Sequence, residues 1–279
     1  MTEKNSDDPA LNAQKRFRAY EDSNFLHSPD ARALRILAEY MEPNSRFKHY
    51  NIQDTIIFFG SARILPRDRA QAEYDAAKAE GGDLEQARIR LEMSEYYEAT
   101  RELAKRLTVW SKGLGEGGRR FVVCSGGGPG IMEAANRGAS EAKGINVGLN
   151  ISLPFEQSEN PHISRELIFE FHYFFMRKFW FAYLAKAVVV MPGGFGTLDE
   201  LFELLTLIQT RKIRKHLPVV LFGSKYWAEV LNLNALEKYG TIDAADLELF
   251  FRTDSVDEAF DFLTEQLRVY SMASPGPTL

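Results

Sequence analysis

The sequence predicts a Rossmann-like α/β fold, a doubly wound parallel sheet with helices on both faces. Three observations carry that reading. Short apolar runs rich in branched or aromatic residues recur at Thr55 to Phe59, Phe121 to Cys124, Ile145 to Leu149, Ala187 to Met191 and Pro218 to Phe222. Segments with helical periodicity separate them. Two of the runs end in glycine-rich turns that lead straight into a helix. Most runs lack strict alternation, as strands covered on both faces should. Strand and helix in alternation give a parallel sheet with right-handed crossovers, and such sheets bind ligands beyond the carboxyl ends of their strands.

In chain order, a polar tail opens the sequence and a helix is expected from Pro29 to Met41. After the first strand, Pro66 to Leu91 is rich in Ala, Glu, Asp and Arg and broken at Gly81-Gly82, which reads as an exposed helical insertion. Met93 to Trp110, Met132 to Ala142, Phe174 to Lys186 and Thr197 to Thr210 carry helical periodicity. Ala273-Ser274-Pro275-Gly276-Pro277 reads as a frayed end. The expected organisation is an N-terminal extension (1–50), a nucleotide-binding catalytic domain (51–270) with the insertion at about 66–91, and a disordered tail (271–279).

Composition excludes several classes. The 279 residues are 45% apolar and 26% charged, ordinary globular usage that fits neither disorder nor a fibrous repeat. The formal charge of −5 argues against a dedicated nucleic-acid binder but leaves room for a local basic site for a small phosphorylated ligand. A single cysteine, Cys124, excludes an internal disulfide and a cysteine-based zinc cluster. The five histidines never form an H-E-x-x-H or i, i+4 pair, so a helical zinc site has no support. The first 30 residues lack the apolar core of a signal peptide. The charge-free stretch Ala187 to Leu198 is only 12 residues long, too short to span a bilayer as a helix. The expectation is a soluble cytoplasmic protein without metal, membrane or nucleic-acid partners.

The chemistry concentrates at three strand ends: Gly60-Ser61-Ala62-Arg63, Ser125-Gly126-Gly127-Gly128-Pro129-Gly130, and Pro192-Gly193-Gly194-Phe195-Gly196-Thr197. A glycine-rich turn between strand and helix lets backbone amides approach an anion, and the helix N-terminus adds its positive dipole end. The first glycine-rich turn departs from G-x-G-x-x-G because Ile131 takes the last glycine position, and no acid ends the Ile145 to Leu149 strand. A dinucleotide cofactor is therefore not expected. Neither turn is a P-loop, since no Lys followed by Ser or Thr completes it.

Two charged residues have competing readings. Thr197 and Glu200 have capping-box spacing, which would use Glu200 only to bond back to the helix start. At the mouth of a phosphate site, a carboxylate would instead serve a sugar hydroxyl or an attacking water. Arg177 shares a helix face with Tyr173, Trp180 and Phe181. Its guanidinium either snorkels and stacks there or, with Lys178, recognises an anion.

Together, the runs Gly126 to Ala134, Met176-Arg177-Lys178 and Pro192 to Glu200 resemble the Lonely Guy (LOG) family. Its members are cytokinin riboside 5′-monophosphate phosphoribohydrolases, once described as possible lysine decarboxylases. The resemblance runs from about Thr55 to about Leu267. It implies a Rossmann-like homodimer that cleaves the N-glycosidic bond of a nucleoside 5′-monophosphate without a cofactor. It further implies Arg177 and Glu200 as the catalytic pair. Lys178, Gly193, Gly194, Gly196, Thr197, Thr206 and, as a weaker match, Glu156 would bind substrate. The strand-end loops add Ser61, Gly127, Gly128 and Met132 to the expected substrate contacts.

The N-terminal extension and the Pro66 to Leu91 insertion depart from short family members, so AMP or another purine monophosphate is the generic expectation beside cytokinin precursors. A lysine decarboxylase is disfavoured, because the chain lacks the His-Lys dipeptide of the usual basic-amino-acid enzymes. The rival reading is a non-catalytic binder of a phosphorylated ligand, such as a molybdenum cofactor carrier protein, which shares the fold and similar loops. The aromatic helix Phe171 to Tyr183 exceeds what one buried stripe requires and motivates a homo-oligomer.

Overall fold

The computed structural model describes residues 18–115, 119–153 and 160–277. Two units are distinguished, Met1–Glu42 and Pro43–Leu279. In the first, α1 (Ser23–His27) is capped by Asp22, whose carboxylate accepts from the backbone N–H groups of Asn24 and Phe25. The Arg35 guanidinium donates to the carbonyls of Leu26 and Ser28, both at 2.7 Å. Arg35 belongs to α2 (Arg32–His49), which opens four residues past the Ser28 carbonyl it helps to bind.

In the second unit, seven strands form one parallel sheet. They are β1 (Thr55–Phe59), β2 (Val122–Ser125), β3 (Val147–Ile151), β4 (Ile168–Phe171), β5 (Ala185–Val190), β6 (Val219–Phe222) and β7 (Phe251–Thr253), in the order β4-β3-β2-β1-β5-β6-β7. Every pair is parallel. The chain builds outward from β1 to β4, then returns to lay β5 on the other side of β1. The topological switch point therefore falls between β1 and β5, where open α/β sheets bind ligands.

The connecting helices are α3 (Arg67–Glu80), α4 (Leu84–Lys112), α5 (Ile131–Glu141), α6 (Phe174–Leu184), α7 (Phe195–Gln209), α8 (Ser224–Val230), α9 (Leu233–Lys238) and α10 (Val256–Tyr270). On one face, Ile56, Phe58, Val123, Ala187 and Val189 pack with Leu103 and Leu107 of α4, Ala134 and Ala135 of α5, and Leu263 of α10. On the other, Phe59 meets Phe181 of α6 edge-on at 5.0 Å. Trp180 of α6 and Phe169 of β4 both contact Phe47, at 5.4 and 4.8 Å. With both faces covered, β1, β2 and β5 are buried along their whole length, which explains their unbroken apolar runs.

The doubly wound fold agrees with the sequence reading, and several elements differ in extent. The break read at Gly81-Gly82 separates two helices. Gly81 ends α3 in the left-handed region at φ 78°, and Asp83 then caps α4 by accepting from the Gln86 amide. Leu84 to Leu91 is therefore the start of a 29-residue helix. The strands β4 and β7 were not anticipated. β4 alternates exposed and buried residues, and β7 has only three residues.

At the amino-terminal end of the sheet, the buried Asp54 carboxylate accepts from the Phe121 amide and the Arg120 guanidinium, each at 2.6 Å. Arg120 also donates to the carbonyls of Ser271 and Met272 after α10. Among the described residues, no helix is long and apolar enough to cross a membrane.

Candidate active site at the strand carboxyl ends

Three strand-end loops meet at the backbone of Ser61. Its N–H donates to the Pro192 carbonyl and its own carbonyl accepts from the Ile131 N–H, both at 3.0 Å. The Ser61 hydroxyl accepts from the Arg63 amide at 3.1 Å. Ser61 thus joins the β1, β2 and β5 loops across the switch point.

The β2 loop is shaped by a buried polar network. Gly127 lies at φ 75°, and its N–H donates to the Ser125 hydroxyl at 3.0 Å. That hydroxyl donates to the Asn136 amide oxygen at 2.6 Å, and Asn136 in turn donates to Asn146 at 2.8 Å. Asn160 donates to the same Asn136 oxygen at 3.0 Å and to the Gly128 carbonyl at 3.4 Å. Asn136 is fully buried, so the network fixes the loop from beneath.

The β5 loop enters α7 at Phe195 with Gly194 as N-cap and no side-chain cap. The first-turn N–H groups of α7 therefore face the opening without a side-chain acceptor, the arrangement that binds anions at helix N-termini. Gly193 has a steric reason to be glycine: a Cβ there would stand 2.2 Å from the Thr197 hydroxyl. Tyr226 of α8 donates its hydroxyl to the Gly193 carbonyl at 3.0 Å. Gly194 and Gly196 border open space, and Phe195 between them is 93% exposed.

Arg177 and Glu200 close the gap between these loops. Arg177 Nη2 lies 2.8 Å from Glu200 Oε1, with side-chain exposures of 11% and 12%. The guanidinium sits over the rings of Phe174 and Phe181 at 5.4 and 5.5 Å. Its Nη1 is 3.8 Å, and Met132 Sδ 2.8 Å, from the point where a Cβ on Gly126 would stand. Arg177 Nε is buried, with no hydrogen-bond partner among the described residues.

Burial pushes the Glu200 carboxyl up to about 7, and the nearby Arg177 charge opposes the rise without cancelling it. The capping reading of Glu200 does not hold. Because α7 starts at Phe195, Thr197 is its third residue and Glu200 its sixth, and Glu200 pairs with Arg177.

Lys178 is placed differently from Arg177. Its ammonium lies 2.8 Å from Asp199 and 3.1 Å from Glu203. Together with Phe195, Phe202 and Thr206 it lines a shallow depression of about 560 Å³ whose walls include neither Arg177 nor Glu200. The Thr206 hydroxyl donates to the Phe202 carbonyl at 2.7 Å. Glu156 lies outside the described residues. Sequence reasoning missed Asn136, Asn150 and Tyr226, which reach the loops from other elements and carry no local motif.

A parallel sheet with a switch-point cradle of glycine turns, closed by a buried arginine–carboxylate pair, defines a Rossmann-like α/β protein with a candidate ligand site at its switch point. Comparison with known proteins adds a family resemblance. The model of the family described as possible lysine decarboxylase matches residues 132–263. The rice (Oryza sativa subsp. japonica) protein named probable cytokinin riboside 5′-monophosphate phosphoribohydrolase LOG4 is 30% identical over 149 residues, 52% of this chain and 62% of that protein. Over that stretch the chain is similar to the LOG protein, in keeping with its motifs.

Among solved structures, that of TM1055, a structural genomics target, is 20% identical and covers 76% of this chain and 99% of its own, with a TM-score of 0.46. The Moco carrier protein from Chlamydomonas reinhardtii is 18% identical and covers 78% and 99%, with a TM-score of 0.45.

Proposed function

We propose that the protein is a nucleoside 5′-monophosphate phosphoribohydrolase, a hydrolase that releases free base and ribose 5-phosphate from AMP or a cytokinin riboside monophosphate. The observation that carries this reading is the buried Arg177–Glu200 pair set between two glycine turns. The uncapped start of α7, with Gly193, Gly194, Gly196 and Thr197, takes the 5′-phosphate. Binding energy spent there holds the sugar in register at the reacting centre.

Cleavage of the C1′–N bond develops oxocarbenium character on the sugar. The Glu200 carboxylate, in a site of low dielectric, stabilises that charge and orients the water that attacks C1′. Arg177 draws on the electron pair left on the departing base. The non-catalytic carrier reading leaves Glu200 without a role, since it is not a helix cap.

A homo-oligomer is part of the proposal. Phe174, Phe175 and Phe195 are at least half exposed, and a second copy of the chain would cover them; a monomeric mass in light scattering at micromolar concentration would remove this element. The activity itself is tested by incubating the protein with AMP, GMP, IMP, CMP and a cytokinin riboside monophosphate and following base release by chromatography. Retention of a phosphorylated ligand without release from any substrate would favour the carrier.

A further inference from the structure

Asn150 stands at the carboxyl end of β3, an interior strand, and leans over the β2 loop. A Cβ on Gly127 would fall 1.4 Å from Asn150 Oδ1 and 3.3 Å from its Nδ2. Oδ1 is buried and accepts no hydrogen bond among the described residues. Its close neighbour is the Gly127 Cα, whose C–H is a weak donor suited to oxygen rather than to an N–H₂ group. That contact fixes the amide with Nδ2 turned away from the loop, on a residue that is partly exposed and whose Nδ2 has no hydrogen-bond partner among the described residues. An interior strand of a covered sheet otherwise carries apolar side chains here, and Asn150 interrupts Leu149 and Ile151.

The position along the site gives this donor a target. From β5 to β3 the sheet order crosses three inter-strand steps, roughly 14 Å at about 4.8 Å per step. That span suits an extended nucleoside monophosphate. With phosphate at the start of α7 and the sugar beside Glu200, Arg177 reaches toward Gly126 of the β2 loop. The base then extends toward β3.

We infer that Asn150 is a base-recognition residue, donating from Nδ2 to a hydrogen-bond acceptor on the edge of the nucleobase. This rests on the nucleotide reading above.

The test measures binding of AMP and ribose 5-phosphate by titration calorimetry, in a Glu200→Gln background that prevents turnover. Asn150→Ala removes the amide. Asn150→Asp keeps an oxygen against Gly127 and replaces the donor by an anionic acceptor, whose charge the ribose 5-phosphate arm controls for. Both are expected to lose roughly tenfold in AMP affinity while ribose 5-phosphate binds as before. Equal weakening of both ligands would reduce Asn150 to a support of the Gly127 turn and overturn the inference. Unchanged AMP affinity would overturn it as well. A Glu200→Gln protein that binds neither ligand would instead sink the nucleotide reading, and the inference with it.

Discussion

The guanidinium of Arg177 contacts the carboxylate of Glu200 at 2.8 Å, joining α6 to α7 across the switch point of the sheet. Neither residue is paired by its own helix. Glu200 sits one turn too deep in α7 to cap it, and Arg177 stands over aromatic rings beside Gly126. Burial of such a pair is a poor stabilising device, because desolvation consumes much of the Coulombic gain. Its placement between two anion-suited turns is better explained by chemistry than by folding.

Replacing Glu200 by Gln should lower base release by a factor of about 10²–10⁴ while leaving AMP bound. The pH profile checks the role of the carboxylate. With its pKa raised to about 7, the ionised and active form is lost as pH falls through that value. The wild-type rate should therefore climb between pH 6 and 8 and level off above, within about one pH unit of that inflection. A wild-type rate that falls over the same interval would show that the protonated form acts.

Arg177→Ala removes the main charge that holds the Glu200 pKa down. Besides a large loss of rate, its residual activity should show the acid limb displaced to higher pH. Arg177→Lys keeps a charge but not the planar fork, so it should restore the inflection more than the rate. Base-release profiles of the three proteins between pH 5.5 and 9 decide this. An inflection that stays fixed in Arg177→Ala would mean that Glu200 is not the titrating group.

The parts of the fold and site carried by local grammar were readable in the sequence. Apolar runs such as Thr55 to Phe59 announce covered strands, and the Gly193 to Thr197 turn announces a helix start with open amides. Boundaries set by tertiary contact were not readable. Thr197 matches a capping box, yet the helix begins two residues earlier, because Gly194 supplies the turn and Tyr226 holds the Gly193 carbonyl from α8. β4 escaped because an edge strand with Ile168 and Glu170 exposed has no continuous apolar run. The second half of the supposed insertion reads as polar because Leu84 to Leu91 lies mostly exposed at the start of α4. Asn136 and Asn150 look like ordinary polar residues until β2, β3 and α5 come together.

Asn136 gives a prediction about the scaffold of the site. It accepts from Ser125 and Asn160 and donates to Asn146. Asn136→Leu should strand at least one buried polar group on each side. A loss of about 2–4 kcal/mol in urea unfolding is expected from unsatisfied buried groups of this kind. AMP affinity should weaken as the Gly127 turn loses its fixed shape. Asn136→Asp keeps the acceptor for Ser125 but loses the donor to the Asn146 and Val147 oxygens, so it too should destabilise. A stability change below about 0.5 kcal/mol would show that the network does not hold the loop.

Asp54 tests whether activity depends on the cradle or on the general integrity of the sheet. Its carboxylate lies at the amino-terminal ends of β1 and β2, the end opposite the glycine turns, and is fully buried against Arg120. Asp54→Ala leaves that guanidinium without its counter-charge and the Phe121 amide without its acceptor. Breaking a buried pair from one side costs about 3–5 kcal/mol. The urea midpoint should drop accordingly, and the carbonyls of Ser271 and Met272 should lose part of their hold on Arg120. At low temperature, where the variant remains folded, kcat/KM for AMP should match wild type. A proportionate loss of kcat/KM in folded Asp54→Ala would show that the two ends of the sheet are coupled, and that losses in the Glu200 and Arg177 variants cannot be assigned to the site alone.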